Sequence, residues 1–173
     1  MALGGDDIVI GHGGNDTICL GAGADVVFAG EGNDTIFGEG GSDLISGDEG
    51  LDKIDGGPAS DEIWGDIMAQ VGSGTAPRCQ QPGDLSPAGS ADKIQGGAGA
   101  DEIHGQGGDD RPRSGGALEG GRGVDRICGG YGDDRLDGGE FEAGNTLNGG
   151  PGRDFCSKGP RPGGDIRISC EKP

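Results

Sequence analysis

The chain has 173 residues, 44 of them glycine, and its 31 acids against 13 bases give a net charge of −18. Six residues are aromatic and 30% are hydrophobic, too few large apolar side chains for one compact core of this length, and no stretch approaches the ~18 apolar residues of a membrane span. A field this negative repels phosphate backbones and anionic lipid, which argues against nucleic acid or membrane insertion and leaves a disordered acidic chain or a repeat fold neutralised by cations.

Residue order favours the repeat. Asp recurs at Asp7, Asp16, Asp25, Asp34, Asp43, Asp52 and Asp61, always nine apart. Two residues after each come Val9, Ile18, Val27, Ile36, Ile45, Ile54 and Ile63; two before come Gly5, Gly14, Gly23, Gly32, Gly41, Gly50 and then Ala59. A disordered acidic tail has no reason to hold three positions in phase. The unit reads as a glycine-rich six-residue turn ending in Asp, then a three-residue strand with one side chain inward and two outward. A nine-residue unit cannot bury its Ile alone. Two units therefore make one coil of a right-handed parallel β-roll, an all-β solenoid of two facing sheets with a thin aliphatic seam, the glycines allowing the tight turns.

The next phased Asp is Asp92, 31 residues after Asp61, so 22 extra residues intervene. They read as a Gly/Pro-rich surface loop at 65–86 that separates regular repeats (1–64) from degenerate ones (87–157). Trp64 is expected to cover the seam where the loop leaves. The phase resumes at Asp92/Ile94, Asp101/Ile103 and Asp110, where Pro112 falls in the apolar position and weakens its coil. A six-residue excess, Ser114 to Glu119, precedes Asp125/Ile127 and Asp134/Leu136. An eleven-residue unit then places Asn145 where Asp is expected, with Leu147 inside, and Asp154/Cys156 closes the series. Fourteen units make seven 18-residue coils, about 34 Å of roll.

The pattern resembles the RTX β-roll family, whose nonapeptide repeat is GGxGxDxUx. The resemblance implies calcium, several ions, bound in the turns. Carboxylates and glycine carbonyls are hard oxygen donors suited to Ca²⁺, and 15 acids with one base, Lys53, lie within residues 1–66. Each ion would lie between two turns one coil apart, pairing Asp7 with Asp25, Asp16 with Asp34, Asp25 with Asp43, Asp34 with Asp52 and Asp43 with Asp61. In the second half the pairs are Asp92 with Asp110, Asp101 with Asp125, Asp110 with Asp134, and Asp134 with Asp154. The metal set is therefore Asp7, Asp16, Asp25, Asp34, Asp43, Asp52, Asp61, Asp92, Asp101, Asp110, Asp125, Asp134 and Asp154, with a weaker site at Asn145. Turn formation alone would not demand Asp over Asn or Ser seven times running.

Cys156 and Cys170 bracket the last unit. This ending resembles secreted calcium-binding repeat proteins that finish with two Cys around a Gly-Pro-rich turn, which implies a disulfide-closed cap over 158–173. Cys79 and Cys128 are a second candidate pair, and Cys19 points outward as the odd thiol. Zinc has no support, since there is no CxxC and no neighbouring His pair. His12 and His104 are expected at the surface, outside any HExxH arrangement, and no GxSxG elbow appears. The DDRLDG run at 133–138 resembles an EF-hand loop, but Arg135 stands where an oxygen ligand is needed. Arg111, Arg113, Arg122, Arg126, Arg135 and Arg153 are expected to compensate carboxylates, the alternative being a patch that docks a partner.

These features describe a secreted, extracellular, monomeric calcium-binding module that folds on binding Ca²⁺ and is not an enzyme, its cell-surface or protein partner and its export route left open. The competing reading is the C-terminal repeat part of a secreted RTX enzyme or toxin. Met1 falls inside a repeat, so upstream coils or a domain could precede it, and residues 1–30 hold no secretory signal. The ending lacks the apolar tail typical of type I substrates.

Overall fold

With one aliphatic side chain per nine residues, a strand of this chain becomes stable only by stacking on its own repeats. The computed structural model describes residues 4–66, 92–98, 101–105, 110, 118–139, 144–157 and 166–170. Among them are fifteen strands and no helix. In the first half these are β1 (Ile8–Ile10), β2 (Thr17–Ala22), β3 (Val26–Glu31), β4 (Thr35–Gly40), β5 (Leu44–Glu49), β6 (Lys53–Pro58) and β7 (Glu62–Trp64). The second half adds β8 (Lys93–Ala98), β9 (Glu102–His104), β10 (Leu118–Arg122), β11 (Arg126–Cys128), β12 (Arg135–Asp137), β13 (Thr146–Asn148), β14 (Phe155–Cys156) and β15 (Ile166–Ile168). Odd-numbered strands form an eight-stranded parallel sheet and even-numbered strands a seven-stranded one, so the chain changes sheet at every turn. This is the parallel β-roll.

Register follows the nine-residue phase. Ile18 pairs with Ile36 and Ile36 with Ile54, and the ladder continues across the long insert, Ile54 to Ile94 and Ile63 to Ile103. The apolar members meet in one seam, where Val27, Ile36, Ile45, Ile63, Ile94, Ile103, Ile127, Leu136 and Leu147 are fully buried. Each such burial stabilises by about 1.5–3 kcal/mol.

Six strands are twice the expected three residues. Their last residues stay in the ladder, as in Gly21 with Glu39, Gly30 with Asp48 and Gly57 with Gly97. The strand therefore presents a second inward position, filled by Leu20 and Ala29 in the first coils and by glycine thereafter. The phased glycine two residues before each Asp has its own cause. At Gly41 φ is +124°, and a Cβ would sit 2.5 Å from the Gly23 carbonyl carbon of the previous coil. Ala59 tolerates the same region at φ +93°.

Three expectations change. Pro112 lies outside the described residues, and the core position of the Asp110 unit belongs to Leu118, which pairs with Ile94 and Leu136 and is fully buried. The six-residue excess therefore falls between Asp110 and its strand, not after it; Leu118 and Glu119 are strand residues. His104 is not at the surface: it is 1% exposed and stacks on Trp64, ring centroids 5.3 Å apart and planes within 10°. Trp64 is in turn the last residue of β7, paired with His104 and outside the core cluster rather than over the seam. His12 is exposed as expected.

The C-terminal disulfide joins Cys156 to Cys170. It ties down β15, which pairs with β13 and puts Arg167 in the register of Leu147. Cys128 is also disulfide-bonded, and its expected partner Cys79 lies outside the described residues; Cys19 is a free thiol. Leu118→Ala is expected to cost about 2–5 kcal/mol, as Ile94→Ala should, read as a lowered urea midpoint. A loss no larger than that of the outward Glu119→Ala would overturn the assignment of Leu118 to the core.

Candidate metal centre

The turns stack as the strands do, and this brings the phased Asp side chains into two columns, one along each side of the roll. Within a column, from Asp25 and Asp34 onward, the phased carboxylate accepts, through Oδ1, the backbone N–H of the Asp one coil earlier. The distances are 2.7 Å from Asp7 to Asp25 and from Asp16 to Asp34, and 2.9 Å for Asp25 to Asp43, Asp34 to Asp52 and Asp43 to Asp61. The pairs expected in the second half are also together: Asp92 to Asp110 at 2.9 Å, Asp101 to Asp125 and Asp110 to Asp134 at 3.1 Å, and Asp134 to Asp154 at 3.0 Å. Three further links complete the columns. Asp52 reaches Asp92 at 2.9 Å and Asp61 reaches Asp101 at 3.0 Å across the 40-residue gap, and Asp125 reaches Asn145 at 2.7 Å.

That bond uses one carboxylate oxygen. The other is buried, and at Asp16, Asp25, Asp34, Asp43, Asp52, Asp61, Asp92, Asp101 and Asp110 it has no hydrogen-bond donor. A carboxylate oxygen buried without a donor or cation is costly. Where the second inward position is glycine, this oxygen faces it: a Cβ would meet Oδ2 at 2.7 Å for Gly38 and Asp43, and at 2.6 Å for Gly56 and Asp61; for Asp25 and Asp34 that position holds Leu20 and Ala29. The backbone carbonyl of the next coil converges on the same spot: Gly96 O is 2.7 Å from the Cβ position at Gly56, and Gly120 O is 2.7 Å from that at Gly96. Glycine here clears room for two oxygens.

Two acceptors facing one another without a proton between them fit a hard cation. Among the described residues no three His, Cys, Asp or Glu side chains gather as a metal-binding group. A cation held here would draw on one or two carboxylates and complete its shell with backbone carbonyls, a donor set suited to calcium and poor for zinc.

Metal-free, the middle of the columns, from Asp43 to Asp110, resists ionisation. Burial pushes Asp92 up to about 9, Asp52 and Asp61 up to about 7, and Asp101 up to about 6, from an ordinary 3.8. The donated backbone N–H opposes each shift, and neighbouring carboxylates of the column add to it. Asp43 is raised by the same causes, and Asp110 well above its ordinary value by burial and then by Asp134.

A second ladder went unnoticed in the sequence. At four described positions the residue before the phased Asp accepts the N–H of the following coil: Asp6 from Ala24, Asn15 from Asn33, Asn33 from Leu51 and Asp133 from Arg153, each at 2.9 Å. These bonds run opposite in sense to the inner ladder, so the turns are stapled both ways. The phased dipeptides Asp6-Asp7, Asn15-Asp16, Asn33-Asp34 and Asp133-Asp134 were the available signal. Of the arginines expected to compensate carboxylates, Arg126 lies 3.7 Å from Glu102, a strand residue and not a column Asp, and Arg135 stands over the Phe155 ring. Arg111 and Arg113 lie outside the described residues.

A family model described as RTX calcium-binding nonapeptide repeat (4 copies) matches residues 1–27, 21–54, 37–67, 88–111 and 117–142. No curated protein and no solved structure matches the chain.

The raised carboxylates fix the sign of a pH response. A group whose pKa rises on folding stabilises the fold fully below its unfolded value, near 3.8, and that contribution is lost as pH climbs through about 6 to 9. In excess chelator, far-UV circular dichroism should therefore show more β structure at about pH 4.5 than at pH 8. A chelated chain that gains β structure as pH rises would contradict the burial of these carboxylates.

Proposed function

The chain belongs to the RTX calcium-binding nonapeptide repeat family, and from that premise we propose that it is an extracellular, non-catalytic structural or interaction module whose folding is coupled to calcium. The observation that carries this reading is the column of buried Oδ2 atoms without donors. The proposed ligands are the carboxylates of Asp7, Asp16, Asp25, Asp34, Asp43, Asp52, Asp61, Asp92, Asp101, Asp110, Asp125, Asp134 and Asp154, with turn carbonyls completing each shell. Bound calcium supplies the positive charge that lets these oxygens be buried ionised.

The rest is the chain's own work. Main-chain N–H groups hold Oδ1 of Asp43 and Asp52, and Oδ2 of each then faces the first glycine of its turn, Gly38 and Gly47. Stacking excludes water from that corner. Without cations, a front half carrying 15 acids and one base repels itself, and the unfolded chain has no assembled site, so the free energy of binding becomes free energy of folding. Neighbouring coils share turns, which makes the response cooperative along the stack. Calcium is scarce in cytosol and millimolar outside cells, so such a chain folds after export. The disulfide between Cys156 and Cys170 agrees with an oxidising compartment.

A calcium titration followed by far-UV circular dichroism at pH 7.5 should convert a largely disordered chain to β structure, with a midpoint at about 10⁻⁴–10⁻³ M. A full β spectrum that survives excess chelator at this pH would overturn the proposal. Asp34→Ala, which removes an inner-ladder acceptor together with a donor-free oxygen, should raise the midpoint several-fold; Asp55→Ala, on the outward face of β6, should leave it in place.

A further inference from the structure

We propose that the Asn145 turn takes no calcium and is closed instead by its own side-chain amide. The inference rests on the calcium reading of the Asp turns and concerns the one position in the two columns where the phased residue is not Asp.

The orientation of Asn145 is fixed by chemistry. Its Oδ1 accepts the N–H of Asp125 at 2.7 Å, as the Oδ1 of a column Asp does. Since only the oxygen can accept from an N–H, the nitrogen must occupy the opposite corner. There Nδ2 donates to the Gly138 carbonyl at 2.7 Å. Gly138 is the first glycine of this turn, and a Cβ on it would meet Nδ2 at 2.6 Å, the relation that Gly56 bears to Oδ2 of Asp61. Nδ2 therefore stands in the place of the donor-free oxygen, and Asn145 is fully buried like the Asp residues of the column.

The consequence is a reversal of electrostatic sign. In the Asp turns this corner collects acceptors and fits a cation. In the Asn145 turn it holds a donor already bonded to a carbonyl, and the two amide hydrogens repel a metal ion. Asn145 is thus a substitute for a bound ion, and the turn between β12 and β13 closes without metal. This corrects the weaker site expected from the loss of charge.

The test counts ions on the full chain at saturating calcium by native mass spectrometry, comparing wild type with Asn145→Asp. The variant restores a carboxylate oxygen facing Gly138 and should bind about one more ion per chain; an unchanged count overturns the inference. The second measurement needs no variant. In calcium-saturated wild type, NMR should detect a scalar coupling across the hydrogen bond between Asn145 Nδ2 and the Gly138 carbonyl carbon. Its absence overturns the inference even where Asn145→Asp fails to fold. A wild-type chain that binds no calcium at all would instead bring down the reading of the Asp turns, and this one with it.

Discussion

A carboxylate with one oxygen tied to the backbone and the other buried without a donor is the constraint on which the roll depends. It recurs along both columns and explains features that otherwise look unrelated. In the later turns of the first half and in the second half, the first glycine is at a point where a Cβ would collide with that oxygen and with a carbonyl of the next coil, as at Gly56. On the proposed calcium reading, Asp is preferred to Asn because two acceptors must face one another. On the same reading, the excess of acid, which would drive an ordinary chain apart, is balanced by charge supplied from outside.

Around this site the backbone is held by interactions that need no metal. The inner ladder of Asp carboxylates accepts from the earlier coil and the outer ladder of Asp6, Asn15, Asn33 and Asp133 from the later one. Opposed bonds fix the register of neighbouring turns, which the thin aliphatic seam could not do alone. At the far end the Cys156–Cys170 disulfide, β15 and the Asn145 amide hold the last coils by covalent and hydrogen bonds.

Legibility was uneven for physical reasons. The period made the two columns and the seam readable, because a parallel stack repeats in space whatever repeats in sequence; even the links across the long insert, Asp52 to Asp92 and Asp61 to Asp101, keep the order of the phased residues. The Asp110 unit was misread because spacing gives the size of an insertion and not its side of the strand. Leu118 pairing with Ile94 places it between the Asp and the strand. His104 looked like a surface residue because alternation puts it on the outward face. It is buried because β7 and β9, 40 residues apart, bring it against Trp64.

The sequence by itself determined the unit and the identity of the residues in the turns, since Gly, Asp and an aliphatic residue are phased every nine positions, and the resemblance of that unit to the RTX repeat implied the fold class. Tertiary structure alone decided what each atom of those residues does. Which carboxylate oxygen is bonded and which is stranded, and which way the Asn145 amide faces, depend on the N–H groups of a coil 18 to 40 residues away. Such contacts come into being only when the coils stack.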